Sequence, residues 1–459
     1  MQHVKTIQES KRTPVKLECD VLVAGGGTAG IVAALAAAYN GASTVLIERY
    51  GTLGGTMVNG AGPLHGFFNM WKAFPGAEKV QVVQGIPQKI IERLIEAGGS
   101  LGHVEMEKGY TYDSVATIID REMFKSVAFR MIQEAGVKLL LHTLVVDVVQ
   151  DRHDLKGIIV ESKSGRQAIL AKMTIDTTGD ADVAFKAGVK CHIMKRSAAM
   201  PFGMTNVDLK RAVAFLQEKN MLTDLAQADK GSEHDDIVRL GFDIRKLDAF
   251  SEIIKKIAYW GGPLTISYHE NDLGFINITN TVPVNAVDVD DMTRAEIELR
   301  EQVVGMAEMM RKHIPGFEKA YLSWTPIQLG VRRSRIVDCE YDLSLKDIIE
   351  GRRFNDEVAL YSFHDMAPQI MVKDGQAYGI PYRALLPKGV ENLLVAGRLI
   401  TKAHKAHQST RNTACCMAQG QAVGTAAALC SKMNVKPRSL DFKLLQDVLK
   451  KDGAYLGKR

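Results

Sequence analysis

The sequence predicts an α/β protein in which a parallel sheet, extended by an antiparallel meander, is interrupted by an inserted α+β domain. Two observations carry that reading. Apolar, β-branched runs flank an alanine-rich segment near the start, and a strand-and-small-residue-helix pattern of the same kind returns over residues 381–435. Between them, over 191–380, the periodicity changes and mixes helical with β-like pieces.

The first element is the most informative. Residues 19–48 read as an apolar run (21–24), a glycine turn with Gly25, Gly27 and Gly30 at G-x-G-x-x-G spacing, an alanine-rich helix to Tyr39, and a second apolar run ending on Glu48. Gly25 permits the tight turn, Gly27 lets a pyrophosphate approach the backbone, and Gly30 lets the helix pack on the strand. Free N–H groups at the helix start face the phosphates, and Glu48 can accept hydrogen bonds from a ribose hydroxyl. The order of strand, turn, helix, strand and acid predicts a bound adenine dinucleotide.

Bulk properties set the frame. At 459 residues the chain exceeds one compact core, so two or three domains are expected. Hydrophobic content of 46% and charged content of 24% are ordinary for a globular protein. A net charge of +5, spread along the chain, does not call for a nucleic-acid partner. The six cysteines show no metal-ligand or C-x-x-C spacing, so no metal site is expected, and vicinal Cys415 and Cys416 read as small buried hydrophobes. No run reaches the length of a membrane span and no signal-peptide layout is present, which predicts a reducing, cytoplasmic setting without membrane contact.

After Glu48, the stretch 49–56 (RYGTLGGT) suits a loop lying against a flat or phosphorylated ligand. Helical spacing recurs over 86–96 and 118–135, the latter ending at Gly136. Three β-branched runs (137–151, 156–165, 166–180) predict the antiparallel meander, the last running into the small, acidic turn 176–182. Over 191–380, helices are expected at 208–219, 248–258 and 294–313 and β pieces at 264–268 and 275–279. The loop 228–236, which includes His234, is expected to be mobile. The boundaries expected are 1–190 and 381–435 for the two parts of the nucleotide domain, 191–380 for the insert, and 436–459 for a helical tail.

Together the turn at 25–30, the ERYGTLGG stretch, the TIDTTGDAD strand end and the LLVAGR…GQAVGTAAAL terminus resemble the FAD-dependent oxidoreductases whose flavin domain is shared with glutathione reductase, succinate dehydrogenase and fumarate reductase. Segments 329–338 and 378–387 are similar to a branch of bacterial flavoproteins of that kind. The resemblance implies a discontinuous Rossmann-like FAD-binding domain with an inserted substrate or cap domain. It implies that Gly25, Gly27, Thr28, Ala29 and Gly30 hold the pyrophosphate, Glu48 the ribose, and that Arg49 lies along the adenine. Gly54, Gly55 and Thr56 would run beside the ribitol, Val145 would read the adenine, and Thr178, Gly179 and Asp180 would close over the nucleotide. Gly397 and Arg398 would approach the diphosphate, and a helix starting near Gly420 would aim its positive end at the flavin. The stretch after Gly55 lacks the histidine that tethers flavin in the succinate dehydrogenase branch, so non-covalent FAD is expected.

Catalytic candidates lie mainly in 402–412. Arg411 offers a fork for a carboxylate, and His407 and His404 can exchange protons near neutral pH. The His407–Arg411 spacing is similar to the HGxxR segment of succinate dehydrogenase and fumarate reductase, although Gln408 replaces the glycine. His364, before an acid, and Arg335, on a strand face with Arg333, complete the set. The expected function is hydride exchange between flavin N5 and a small polar substrate, anionic or hydroxylated, with His407 as general acid or base. A flavin-dependent isomerase or eliminase, and a non-catalytic FAD-binding subunit, are the alternatives. No second G-x-G-x-x-G for a nicotinamide is present, so the electron donor or acceptor is unspecified, and the apolar helices of the insert leave room for a homo-oligomer.

Overall fold

The protein is seen in a computed structural model that describes residues 6–457 apart from 61–64, 67, 69–79, 106–114, 232, 234–235, 258–262 and 367–368. His234, part of the loop 228–236, and most of the aromatic stretch up to Trp71 lie outside the described residues.

The first strand, Val15–Ala24, has only apolar residues in its buried C-terminal half and takes the middle of the main sheet. It pairs in parallel with Thr44–Ile47, which pairs in turn with Lys138–Leu140. On its other side lies the long strand Gly165–Asp176, also parallel. The early part of that strand carries the antiparallel meander with Asp154–Ser162 and Leu144–Asp151. Its end exchanges the meander for Leu393–Val395, parallel to Thr174–Asp176. The chain therefore returns to the sheet it left more than two hundred residues earlier, and the mixed α/β fold class agrees with the expectation. The run 137–151 was expected as one strand and is two. His142 takes a positive φ of 51° and breaks it, sending Lys138–Leu140 to the parallel edge and Leu144–Asp151 to the meander.

Two helices cross on this sheet. Thr28–Tyr39 packs against Thr413–Met433, and the small residues of both set how close they come. A Cβ on Gly420 would sit 2.2 Å from the Ala29 carbonyl oxygen, and one on Gly424 would sit 2.2 Å from that of Ala33.

One apolar core gathers residues from 21–189 together with 337–449, and a second gathers 198–331. Of the expected insert, 191–380, residues 198–331 supply the second core and residues 337–380 join the first. Val337, Leu343, Ile348, Tyr361 and Tyr378 join the first core, because Arg335–Val337 and Glu357–Tyr361 pack under the returning strand and its helix. The insert is built on a six-stranded sheet backed by Leu209–Glu218 and Val289–His313. The tail helix Phe442–Lys451 buries Leu445 and Leu449 in the first core.

Asp176, at the end of the long strand, is fully buried. Its carboxyl accepts from the Thr178 N–H and hydroxyl and from the Ala184 N–H, tying the turn 177–184 to the strand. Burial pushes this carboxyl up to about 6. A carboxyl with a raised folded value contributes stability that is fully present below its unfolded value of 3.8 and is lost as pH rises through about 6. The stability of the wild type relative to Asp176→Asn is therefore expected to fall between about pH 4 and about pH 6 in urea titrations; a constant difference contradicts this. Gly424→Ala is expected to cost about 1–3 kcal/mol by overpacking the helix crossing, read as a lower urea midpoint.

Candidate active site

A large cleft of about 1230 Å³ opens at the C-terminal ends of the parallel strands and is covered by the insert. Ligands of open α/β sheets collect at such strand ends. On the sheet side it is walled by the turn after Val15–Ala24, by the end of Thr44–Ile47, by the turn after Asp176 and by the Gly397 turn. On the other side it is walled by the insert's sheet and by segments 196–201 and 328–332.

The three fingerprint glycines do different things. Gly25 has φ of +103°, and a Cβ there would lie 2.5 Å from the Thr177 carbonyl oxygen. A Cβ on Gly30 would lie 1.8 Å from the Gly25 carbonyl oxygen. Those two are demanded by the fold. Gly27 is different: its φ is −70°, and a Cβ there would meet only the Gly55 Cα, at 3.9 Å. No described residue crowds a Cβ at that point, which leaves the space to an occupant of the cleft. The Gly27 and Gly54 backbones run side by side as a parallel bridge, with the Gly54 N–H donating to the Gly26 carbonyl, so the two glycine loops form one continuous cradle.

Two helices begin at this cradle without a side-chain cap. Thr28–Tyr39 follows Gly27, which has no side chain to offer. Thr413–Met433 follows Asn412, whose carboxamide turns back to the Gln408 and Ser409 carbonyls. Thr28 and Thr413 both line the cleft. First-turn N–H groups of both helices, and the positive ends of their dipoles, are left for a ligand. The sequence reading had placed the second helix start near Gly420. That residue lies two turns inside the helix, off the cleft, and serves the crossing with Thr28–Tyr39.

Glu48 is buried at the end of Thr44–Ile47 and lines the cleft. Its carboxylate accepts from the Gly26 N–H at 2.7 Å and the Tyr50 N–H at 3.0 Å, and burial raises its pKa. Arg49, Thr56, Val145, Thr178, Gly179, Gly397 and Arg398 also line the cleft. Asp180 does not line it; it holds Arg398 by an ion pair of 2.8 Å. Gly54 and Gly30 stand behind the lining glycines. Vicinal Cys415 and Cys416 are buried free thiols, and burial pushes Cys416 up to about 12, far from a reactive thiolate.

The structure separates the catalytic candidates. Arg411 lines the cleft, bonded by one terminal nitrogen to Asp365, and its Nε is buried without a partner among the described residues. His407 does not reach the cleft. The helix His404–Thr410 turns it inward, where Nε2 meets the Arg398 carbonyl at 3.0 Å and burial holds the ring well below the usual histidine range. His364 is buried too: Nε2 donates to the Lys405 carbonyl at 2.7 Å and Nδ1 accepts from the Met366 N–H, fixing a neutral tautomer. His404 stacks its nitrogens against Arg333 at 3.0 Å and Arg196 at 3.1 Å, outside the cleft lining. Arg335 pairs with Asp182 at 3.0 Å and lies over the Phe185 ring, also off the cleft. None of these four lines the cleft, because helix and strand faces rather than sequence proximity decide which side chains reach it.

The sequence reading missed several lining residues. Arg196, Gln408, Asn280, Asp224 and Asp365 all line the cleft. Burial and the nearby Arg411, Arg332 and Arg333 bring Arg196 down to about 10. Asn412 before Thr413 was a legible N-cap signal that the glycine of 420 obscured.

A thiamine thiazole synthase of Methanococcus vannielii is 28% identical over 183 residues, covering 36% of this chain and 59% of that protein. A digeranylgeranylglycerophospholipid reductase of Methanocaldococcus jannaschii is 27% identical over 195 residues, covering 41% of this chain and 46% of that protein. The chain thus spans about half the length of the curated relatives it matches. Among solved structures, a geranylgeranyl bacteriochlorophyll reductase-like protein from Thermoplasma acidophilum covers 95% of this chain and 83% of its own, at 14% identity and a TM-score of 0.49. The model of the family described as FAD dependent oxidoreductase matches residues 20–449. A glycine cradle and two uncapped helix starts suit that family's cofactor, and the chain belongs to the FAD-dependent oxidoreductases.

Proposed function

We propose that the protein exchanges a hydride between FAD and a small anionic substrate held at an arginine cluster of the cleft. The observation that carries this reading is charge. Arg196, Arg332 and Arg411 line one region of the cleft, with Arg333 behind them, and the carboxylate lining the cleft beside them is Asp365. Among the described residues no carboxylate lies within ion-pair distance of Arg196, whose guanidinium meets only the His404 ring. Guanidinium groups gathered in a partly dry site favour an anion there.

Bound FAD supplies the hydride-transfer chemistry. The chain's residues would divide the rest. Gly27 and the first-turn N–H groups from Thr28 would hold the diphosphate, Glu48 the ribose, and Thr413 would direct its helix end at the flavin ring. Arg411 would orient the substrate anion, and Asp365 would fix the angle of Arg411. With His407 inside the fold, proton exchange passes to a group that lines the cleft, and Asp365 is the ionisable residue at this end. The electron donor or acceptor would enter the same cleft, since no second nucleotide fingerprint exists.

Acid precipitation is expected to release the flavin into the supernatant; colour retained in the pellet contradicts non-covalent binding. Arg411→Ala is expected to keep FAD while weakening a responsive hydroxy acid at least about tenfold, or 1.4 kcal/mol. Anaerobic titration of the flavin absorbance checks this, using hydroxy acids and matched neutral alcohols. Equal responses to acids and alcohols, or an unaltered Arg411→Ala response, would overturn the anion reading.

A further inference from the structure

The insert's sheet presents two chemically different faces. One face, with Leu240, Ile276 and Phe202, is apolar and packs on the insert's helices. The other is set by cross-strand register. Asp224 pairs with Gly241, Gly241 with Leu264, and Leu264 with Asn277, so these four form a row across neighbouring strands on one face. All four line the cleft. Gly241 keeps the row low: a Cβ there would meet the Asp224 Cβ at 2.9 Å.

The polar groups of this floor are built in at a cost. Asp224 is buried and forms an ion pair at 3.3 Å with Arg239, which is 0% exposed. A buried ion pair contributes little net stability to a fold. Because it is neutral overall, it offers oriented acceptor oxygens rather than a charge. Next to the floor, Asn280 also lines the cleft, its backbone bolted to Gln302 of the helix Val289–His313 through two hydrogen bonds. Its Oδ1 is buried and accepts no hydrogen bond among the described residues. An orphaned buried acceptor in a cleft wall asks for a donor from a ligand. Phe275, two residues before Asn277 on the same face, adds an apolar surface beside these acceptors.

We infer that the cap-sheet floor around Asp224, Asn277 and Asn280 is a hydroxyl-recognition subsite, and that the substrate class is a polyhydroxylated carboxylate. The carboxylate end rests on the anion reading given above; the hydroxyl subsite rests on its own residues. Hydroxyl groups donate to the Asp224 carboxylate and the Asn280 carboxamide oxygen, and their carbon backbone lies on Phe275 and Leu264. A site with an orphaned acceptor discriminates against analogues that lack a hydroxyl, since the Asn280 oxygen is then left dry and unpaired.

Calorimetry on the FAD-loaded protein tests this with three six-carbon probes: gluconate, hexanoate and the neutral polyol sorbitol. Wild type is expected to bind gluconate at least tenfold more tightly than hexanoate. Asn280→Ala is expected to reduce that preference to less than threefold, as is Asp224→Asn. Asn280→Ala leaves the Asp224–Arg239 pair intact and so remains informative if Asp224→Asn does not fold. Sorbitol separates the two subsites: its binding should survive Arg411→Ala and be lost in Asn280→Ala, even if the anion reading fails. Equal affinity for hexanoate and gluconate, or a gluconate preference unchanged in Asn280→Ala, would overturn the hydroxyl subsite. No binding of gluconate or sorbitol would overturn it as well.

Discussion

The structure depends on two helices being allowed to start bare at the same edge of one sheet. Helix N-termini normally recruit a side chain or solvent for their first N–H groups. Here Gly27 has no side chain, and Asn412 spends its carboxamide on the turn behind it. The two starts can converge only because the helices cross closely, and that crossing is possible only with Gly420 and Gly424 against the Ala29 and Ala33 carbonyls. The glycine at 420 that looked like a ligand contact is thus a packing device that brings the true helix start, Thr413, to the cleft.

Electrostatics follow from the same arrangement. Two positive helix ends and several arginines face one cleft, while the nearby acids are committed elsewhere. Asp176 ties its turn from inside, Asp180 holds Arg398, and Asp182 holds Arg335. The region is therefore short of free negative charge, as the proposed anionic ligands require. The insert completes the picture from above, with one sheet face packed on its own helices and the other turned to the cleft.

The nucleotide half was legible because its local signals agree with one another. The run from 21 to 48, the helix Ile86–Glu96, the meander and the returning strand each have a period that only one structure satisfies. The cap sheet was mostly hidden. Its strands Leu222–Gln227 and Ile237–Phe242 carry Asp224 and Arg239 on the cleft face, so they do not alternate apolar with polar as a strand with one wet face would. The histidines were misjudged for a similar reason. A helix over His404–Thr410 leaves His404 exposed at its first position and buries His407 one turn on. No residue-by-residue reading finds Arg196 or Asn280, since their importance comes from which parts of the chain meet across the cleft.

The most direct test of this account is the affinity of Gly27→Val for FAD, measured by calorimetry on apoprotein alongside its thermal midpoint. The valine backbone is allowed at φ of −70°, and its Cβ meets no described residue closer than the Gly55 Cα at 3.9 Å. The account predicts an apoprotein as stable as wild type that no longer binds FAD. A Gly27→Val protein that binds FAD with unchanged affinity would contradict the claim that this cradle exists for the cofactor.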